Sequence, residues 1–136
     1  MLPGNYELIA NFSFNKAYID GNDGKQLDNV PKYSASLWGT KTLALQDDLT
    51  LRLGAGARYT GVNYSYGGEG SAFAAGLRTP PYMLVDALVE LNWNNWRLSV
   101  NAANLLDKKF YAACLARGDC FIGAERNVYG TLTYRF

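Results

Sequence analysis

The sequence predicts an all-β fold of antiparallel, up-and-down strands, and three observations support this. The composition favours residues that suit a pleated surface, with 14% aromatic residues and ten tyrosines among 136 residues. Apolar and polar residues alternate with a period of two in six separate segments, which is typical of strands with one apolar side. The connections between these segments are alternately short and long.

Each segment has apolar residues on one side and polar residues on the other. The clearest is 49–60, where leucine and alanine alternate with threonine, arginine and glycine. Lys41 interrupts the apolar side of the second segment, which is tolerable where a long lysine side chain reaches the edge of an apolar band. The predicted strands are 6–19, 33–45, 49–60, 82–92, 96–103 and 127–136.

The lengths of the connections indicate a transmembrane β-barrel. Two are tight, 46–48 and 93–95, whereas 20–32, 61–81 and 104–126 are long and rich in Gly, Asp and Asn. Outer-membrane barrels alternate in this way, with short turns on the periplasmic side and long loops outside. A soluble sandwich does not require the alternation.

Aromatic residues gather beside the short turns, where a membrane-interface girdle would lie. They are Tyr6, Trp93, Trp96, Tyr134 and Phe136. The apolar sides of the strands are therefore predicted to face lipid. Six strands are too few to close, since single-chain barrels begin at about eight strands. The segment is therefore expected to be part of a larger barrel.

Composition also excludes several classes of protein. The net charge of +1 gives no electrostatic reason to bind nucleic acid. No apolar run reaches the roughly 18 residues of a membrane helix. The sequence contains no histidine, so the commonest catalytic triads are impossible, and no enzyme activity is expected.

The C-terminal part of the sequence resembles a known family. "NLLDKKFYAAC" and "CFIGAER", followed by a last strand ending in Arg-Phe, resemble the C-terminus of TonB-dependent outer-membrane receptors for ferric siderophores, especially the ferrichrome-type hydroxamate branch. "VPKYSASLWGTKTL" and "PPYMLVDALVEL" are similar to the penultimate strands of that family.

The resemblance implies a barrel of about 22 strands with a plugged lumen. Residues 1–136 would then be its C-terminal portion, with the N-terminal plug domain and the segment that engages TonB absent. The implied function is iron uptake, to which this chain supplies barrel wall and extracellular binding loops. The alternatives are a general porin or structural barrel, and a soluble all-β ligand-binding domain.

The only two cysteines, Cys114 and Cys120, lie in the connection 104–126. This connection is extracellular if the last strand ends in the periplasm, and disulfides persist in such an oxidising compartment. A Cys114–Cys120 disulfide is therefore predicted, with two free thiols or a metal site as alternatives. No metal is expected, because zinc sites often include histidine and the sequence has none.

In the resembling family, aromatic side chains of the external loops contact the siderophore. Here they would be Tyr111 and Phe121 and, more weakly, Tyr64, Tyr66 and Phe73, with ordinary loop packing as the alternative for each. Leu115 stands where related receptors can carry an aromatic residue.

Charged residues occupy the polar sides of the middle strands. They are Arg52, Arg58, Asp86, Glu90 and Arg97. They form either a charge ladder in the lumen that meets the plug, or cross-strand pairs that merely solvate the wall.

The resemblance also implies the partners and the location. No cofactor is bound directly, since the iron arrives as a ferric siderophore. The other partners would be the TonB complex, through the missing N-terminal part, and the lipid of the bacterial outer membrane. The barrel assembly machinery is a further partner, because a last strand ending in Tyr134 and Phe136 is similar to its recognition signal.

Overall fold

The computed structural model describes residues 5–18, 24–67 and 70–136. Within these ranges it contains ten strands. They are β1 (Tyr6–Phe14), β2 (Tyr33–Gln46), β3 (Leu49–Thr60), β4 (Asn63–Ser65), β5 (Leu77–Thr79), β6 (Tyr82–Trp93), β7 (Trp96–Ala103), β8 (Tyr111–Cys114), β9 (Cys120–Ile122) and β10 (Asn127–Tyr134). No helix in the described ranges is long and apolar enough to cross a membrane.

The six long strands form one antiparallel sheet in the order β1-β2-β3-β6-β7-β10. Each strand therefore pairs with the neighbour expected of an up-and-down meander, which confirms the predicted all-β class. β1 and β10 form the two edges, and neither edge has a further strand beside it in the described part of the chain.

Two strands, β1 and β10, are shorter than the sequence predicted. β1 ends at Phe14, because its partner β2 begins opposite at Tyr33 and offers no further ladder. Beyond it, the Asn15 N–H donates to the Lys32 carbonyl and an isolated bridge joins Tyr18 to Gln26, while Ile19 lies outside the described residues. β10 ends at Tyr134 because its last partner is Trp96, where β7 begins.

The short connections are turns of two residues, 47–48 and 94–95. Asn94 has φ 49°, a left-handed conformation that asparagine tolerates better than most residues. Its backbone N–H donates to the Asp48 carbonyl at 3.1 Å, so the two neighbouring turns are bonded to each other. The sheet thus has one compact end.

The register places the apolar positions of all six strands on one face. A single row across the sheet contains Gly39, Ala55, Ala87, Ala102 and Val128. This face is open, because Leu53, Val89 and Leu132 are 39%, 46% and 63% exposed. Leu84 and Cys114 are the only buried hydrophobic residues among those described. The leucines and valines therefore do not fill an interior of this chain.

Aromatic rings border the apolar face at both ends. At the short-turn end the Trp96 and Tyr134 rings pack with centroids 4.6 Å apart, and Phe136 meets Tyr134 edge-on at 5.1 Å. A second group at the opposite end was not predicted. It consists of Phe12, Phe14, Tyr33 and Tyr59, which are all exposed on the same face. Two aromatic belts around an apolar band are typical of a membrane-spanning sheet.

The opposite, polar face also carries the large ring of Trp38. Trp38 lies flat across β3, where Gly54 and Gly56 leave room for it. A Cβ at Gly56 would meet the indole and would come within 2.6 Å of the Leu37 carbonyl oxygen. These glycines therefore allow an aromatic side chain to approach the backbone closely.

Candidate functional site

The long connections converge at the end of the sheet opposite the short turns, and two of them contain a small hairpin. β4 pairs with β5 in the connection 61–81, and β8 pairs with β9 in 104–126. Both were predicted only as loops. A Cys114–Cys120 disulfide closes the second hairpin, with Cys114 buried and Cys120 exposed.

The two hairpins pack against each other through buried polar groups. The Cys114 backbone N–H donates to Thr79 Oγ1 at 2.9 Å, and the two residues are 1% and 0% exposed. The Phe73 ring reaches the turn of the second hairpin, where a Cβ at Gly118 would lie 3.6 Å from its Cε2. Phe73 therefore packs between the loops.

Tyr64 and Tyr66 form a stacked pair beside this junction. Their ring centroids are 6.2 Å apart and their planes differ by 21°. Gly76, with φ 100°, lies against both rings, and a Cβ there would come within 2.8 Å of Tyr66 Cε1. The Lys25 ammonium lies 5.5 Å from the Tyr66 centroid, a favourable cation–π geometry.

Tyr111 lines a separate cavity at the base of the second hairpin. Its volume is about 510 Å³, which is within the range of small-molecule sites. The Tyr82 and Phe110 rings form part of the wall, with centroids 4.2 Å apart. Lys108 lies at the cavity, and so does the ion pair of Lys109 with Glu125. Tyr82, Phe110 and Lys108 were not predicted as site residues, although Phe110 and Lys108 lie close in sequence to the predicted Tyr111.

Asn104 organises the base of the second hairpin. Its side chain donates to the carbonyls of Lys108 and Ala124 at 3.0 and 3.1 Å and accepts from the Lys108 N–H at 2.9 Å. Asn104 is 3% exposed, so its polar groups need these partners. Its own N–H donates to Asp86 Oδ1, which joins the loop to the sheet.

Two ionisable groups of this loop base have shifted pKa values. The Arg126 backbone N–H donates to Asp107 Oδ1 at 2.9 Å and, together with nearby cationic side chains, lowers the pKa of that carboxyl. The hydrogen bond from Lys109 to Glu125 raises the pKa of the Lys109 ammonium. Both shifts favour the charged forms that hold the loop closed.

The five aromatic residues that were predicted to contact the siderophore therefore lie in different parts of the loops. Tyr64 and Tyr66 lie together, Phe73 packs at the junction, and Tyr111 lines the cavity. Phe121 lies opposite Ala113 in the second hairpin and is 51% exposed. The structure brings two of the five rings into direct stacking and distributes the others around the same end of the sheet.

The charged residues of the polar face form cross-strand pairs. Arg58 binds both oxygens of Asp86, with Nη2 to Oδ1 at 3.0 Å, and Arg97 Nε lies 3.9 Å from Glu90. Arg52 stands opposite Glu90 in the register, yet its guanidinium lies 2.7 Å from Glu7. Among the described residues, each member of the predicted ladder has an oppositely charged partner.

Comparison with known proteins places these features in one family. A family model described as "TonB dependent receptor-like, beta-barrel" matches residues 4–105. The chain is 35% identical over 95% of its length to the ferrioxamine receptor of Yersinia enterocolitica. It is 41% identical over 79% of its length to the ferrichrome outer membrane transporter/phage receptor of Escherichia coli. The chain spans 18% and 14% of these two relatives.

Solved structures show the same fold. The ferric-catecholate import receptor Fiu of Escherichia coli, in its closed form, superposes with a TM-score of 0.75 at 27% identity. The match covers all of this chain and 19% of that one. The siderophore receptor PiuA of Acinetobacter baumannii gives a TM-score of 0.69 at 26% identity, over 95% of this chain and 19% of that one. This chain therefore belongs to the TonB-dependent receptor-like β-barrel family of the bacterial outer membrane.

Proposed function

We propose that residues 1–136 form the C-terminal portion of the barrel of a TonB-dependent receptor that takes up ferric siderophores. The remaining strands, the plug and the segment that engages TonB would belong to other parts of the complete protein. The relatives named for ferrioxamine and ferrichrome support a ligand of this chemical kind. The iron would arrive within the siderophore, so the barrel itself needs no cofactor.

The open six-stranded sheet is the observation that carries this proposal. Its apolar face is exposed between two aromatic belts, and it contains almost no core. A soluble domain could not tolerate so large an apolar surface. In lipid, the unpaired edges would each leave backbone groups that cost several kcal/mol apiece, so neighbouring strands must complete the wall.

The loops at the far end supply the proposed ligand contacts. Tyr64 and Tyr66 present adjacent ring faces, and Tyr111 and Phe121 are about half exposed at the second hairpin. Aromatic rings offer a large rigid contact area to a compact organic complex. Phe73 would support them by packing between the two hairpins. The paired charges of the polar face would line the lumen and face the plug.

Uptake of radioactive iron tests the proposal. The complete receptor is expressed in a strain that lacks its own siderophore receptors, and iron-55 is supplied as ferrichrome or ferrioxamine B. We expect saturable uptake of at least one complex that disappears without TonB. Tyr64→Ala/Tyr66→Ala should lower uptake, whereas Tyr59→Ala on the lipid face should not. Uptake that is unsaturable and independent of TonB would instead support a porin.

A further inference from the structure

The carboxylate of Asp28 lies between two loops and binds the segment that carries the tyrosine pair. Asp28 Oδ2 accepts a hydrogen bond from Ser65 Oγ at 2.9 Å, and both carboxylate oxygens lie 3.2 Å from the Tyr66 backbone N–H. The adjacent Asn29 N–H donates to the Tyr64 carbonyl at 2.9 Å. Residues 28 and 29 thus hold three consecutive residues of the first hairpin.

Ser65 extends this connection to the disulfide-closed hairpin. Its hydroxyl donates to Asp28 and at the same time accepts from the Ala116 N–H at 3.0 Å. Ser65 is only 3% exposed, so water cannot readily replace either partner. One buried hydroxyl therefore links all three long connections.

The position of the tyrosine rings depends on this linkage. Tyr64 and Tyr66 flank Ser65, and their backbone groups are bonded to Asn29 and Asp28. Gly76 supports the same two rings from the other strand of the hairpin. A contact surface that is already fixed before binding loses less conformational entropy when the ligand binds. The carboxylate is thus placed to preorganise the rings through the backbone that carries them.

We infer that Asp28 is a positioning residue that fixes Tyr64 and Tyr66 for ligand contact by clamping the three loops through Ser65. This inference rests on the proposed function, in which those rings contact the siderophore. Loss of the carboxylate leaves the buried Ser65 hydroxyl and the Tyr66 N–H without their acceptor. Leaving the buried Ser65 donor unsatisfied in this way weakens the clamp itself.

The first measurement needs no ligand. Hydrogen exchange at the Tyr66 amide is followed in the complete receptor carrying Asp28→Ala, Asp28→Asn or Ser65→Ala. We expect faster exchange in Asp28→Ala and Ser65→Ala and a smaller change in Asp28→Asn, which keeps one carbonyl acceptor. Asp47→Ala, in a turn at the opposite end, is the matched control and should change nothing. Unchanged exchange in Asp28→Ala overturns the clamp.

The second measurement is the affinity for ferrichrome and ferrioxamine B, read from quenching of intrinsic fluorescence. We expect Asp28→Ala to weaken binding by about tenfold, because the buried Ser65 hydroxyl then loses its acceptor. In the Tyr64→Ala/Tyr66→Ala background, adding Asp28→Ala should weaken binding no further. An equal loss in both backgrounds overturns the positioning role, because Asp28 would then act independently of the rings.

The two proposals fail in distinguishable ways. If Tyr64→Ala/Tyr66→Ala leaves affinity unchanged, the ligand contacts of the proposed function are wrong and the positioning role falls with them, whatever the exchange data show. If that double variant weakens binding but Asp28→Ala does not, the positioning role alone is overturned. Heat-modifiable mobility in gels verifies that each variant is folded, and Asp28→Asn with Ser65→Ala still tests the inference should Asp28→Ala fail to fold.

Discussion

The backbone N–H of Cys114 donates to the side-chain oxygen of Thr79, and both residues are almost fully buried. This bond crosses from one loop to another, 35 residues apart in sequence. It places the disulfide next to the first hairpin rather than at a free loop tip. The two hairpins therefore support each other.

Replacing Thr79 by valine should loosen this junction. Valine has the same shape but no acceptor, so the buried Cys114 N–H loses its partner at a cost of about 1 to 3 kcal/mol. We expect faster hydrogen exchange at the Cys114 amide. Thr131→Val, at an exposed position of β10, is the matched control. Equal exchange in wild type and Thr79→Val would show that the bond contributes nothing.

Removing the disulfide with Cys114→Ser/Cys120→Ser should free the second hairpin. Closing so short a loop stabilises it by about 2 kcal/mol in the chain-entropy account. Arg117 lies between the two cysteines and is exposed, so trypsin should cleave there faster in the double variant. Reduction of the wild type should have the same effect. Alkylation of both thiols without reductant would contradict the disulfide.

The loop base around Asp107 should open in acid. Because its pKa is lowered in the folded protein, its contribution is present above the ordinary carboxyl pKa and is lost as the pH falls through the folded value. We expect exchange at the Arg126 amide, corrected for its intrinsic pH dependence, to accelerate below about pH 4. Asp107→Asn should remove that acid transition, and Asp47→Asn should keep it. A pH-independent corrected rate in wild type would refute the role of the carboxylate.

Alanine at Gly56 should destabilise the sheet. Its Cβ would collide with the Trp38 indole and the Leu37 carbonyl, and overpacking of this kind costs about 1 to 3 kcal/mol. At Gly39, on the apolar face, the nearest atom to such a Cβ is Leu8 Cδ1 at 3.6 Å, an ordinary contact. We expect a lower urea midpoint for Gly56→Ala than for Gly39→Ala. Equal midpoints would mean that Trp38 can move aside without loss.

Deleting Phe136 should reduce insertion of the complete receptor into the outer membrane. The Phe136 ring meets Tyr134 edge-on beyond the end of β10 and is otherwise fully exposed. The amount of heat-modifiable receptor in outer-membrane fractions measures the effect. Phe136→Trp keeps an aromatic ring and should insert normally. Normal insertion of the deletion variant would remove both the anchoring and the assembly roles.

The six long strands could be predicted because their evidence is local. Alternation within β3 or β6 is visible over about a dozen residues, and the short turns at 47–48 and 94–95 fix which strands are neighbours. The short strands of the two hairpins could not be predicted in this way, since three or four residues show no period. The apolar side of each strand is visible in the sequence, but the membership of Phe12 and Tyr59 in a second belt depends on the register between strands.

The contacts between the loops could not be predicted from the sequence pattern. Asp28 meets Ser65 across 37 positions, and Asn104 meets Ala124 across 20. No spacing rule connects such residues, because the intervening strands bring them together. The ion pair of Arg52 shows the same limit. Glu90 stands directly opposite Arg52 on the neighbouring strand, yet the Arg52 guanidinium binds Glu7, which lies on β1.

The two edge strands, which have no further partner strand in the described part of the chain, affect how this polypeptide can be produced. When the polypeptide is produced alone, the unpaired backbone groups of β1 and β10 can bond to other copies of the chain. We therefore expect it to accumulate as insoluble aggregate. Under the proposed function, co-production with the remaining strands of the receptor, as a split protein, should instead let those strands pair with both edges and close the wall.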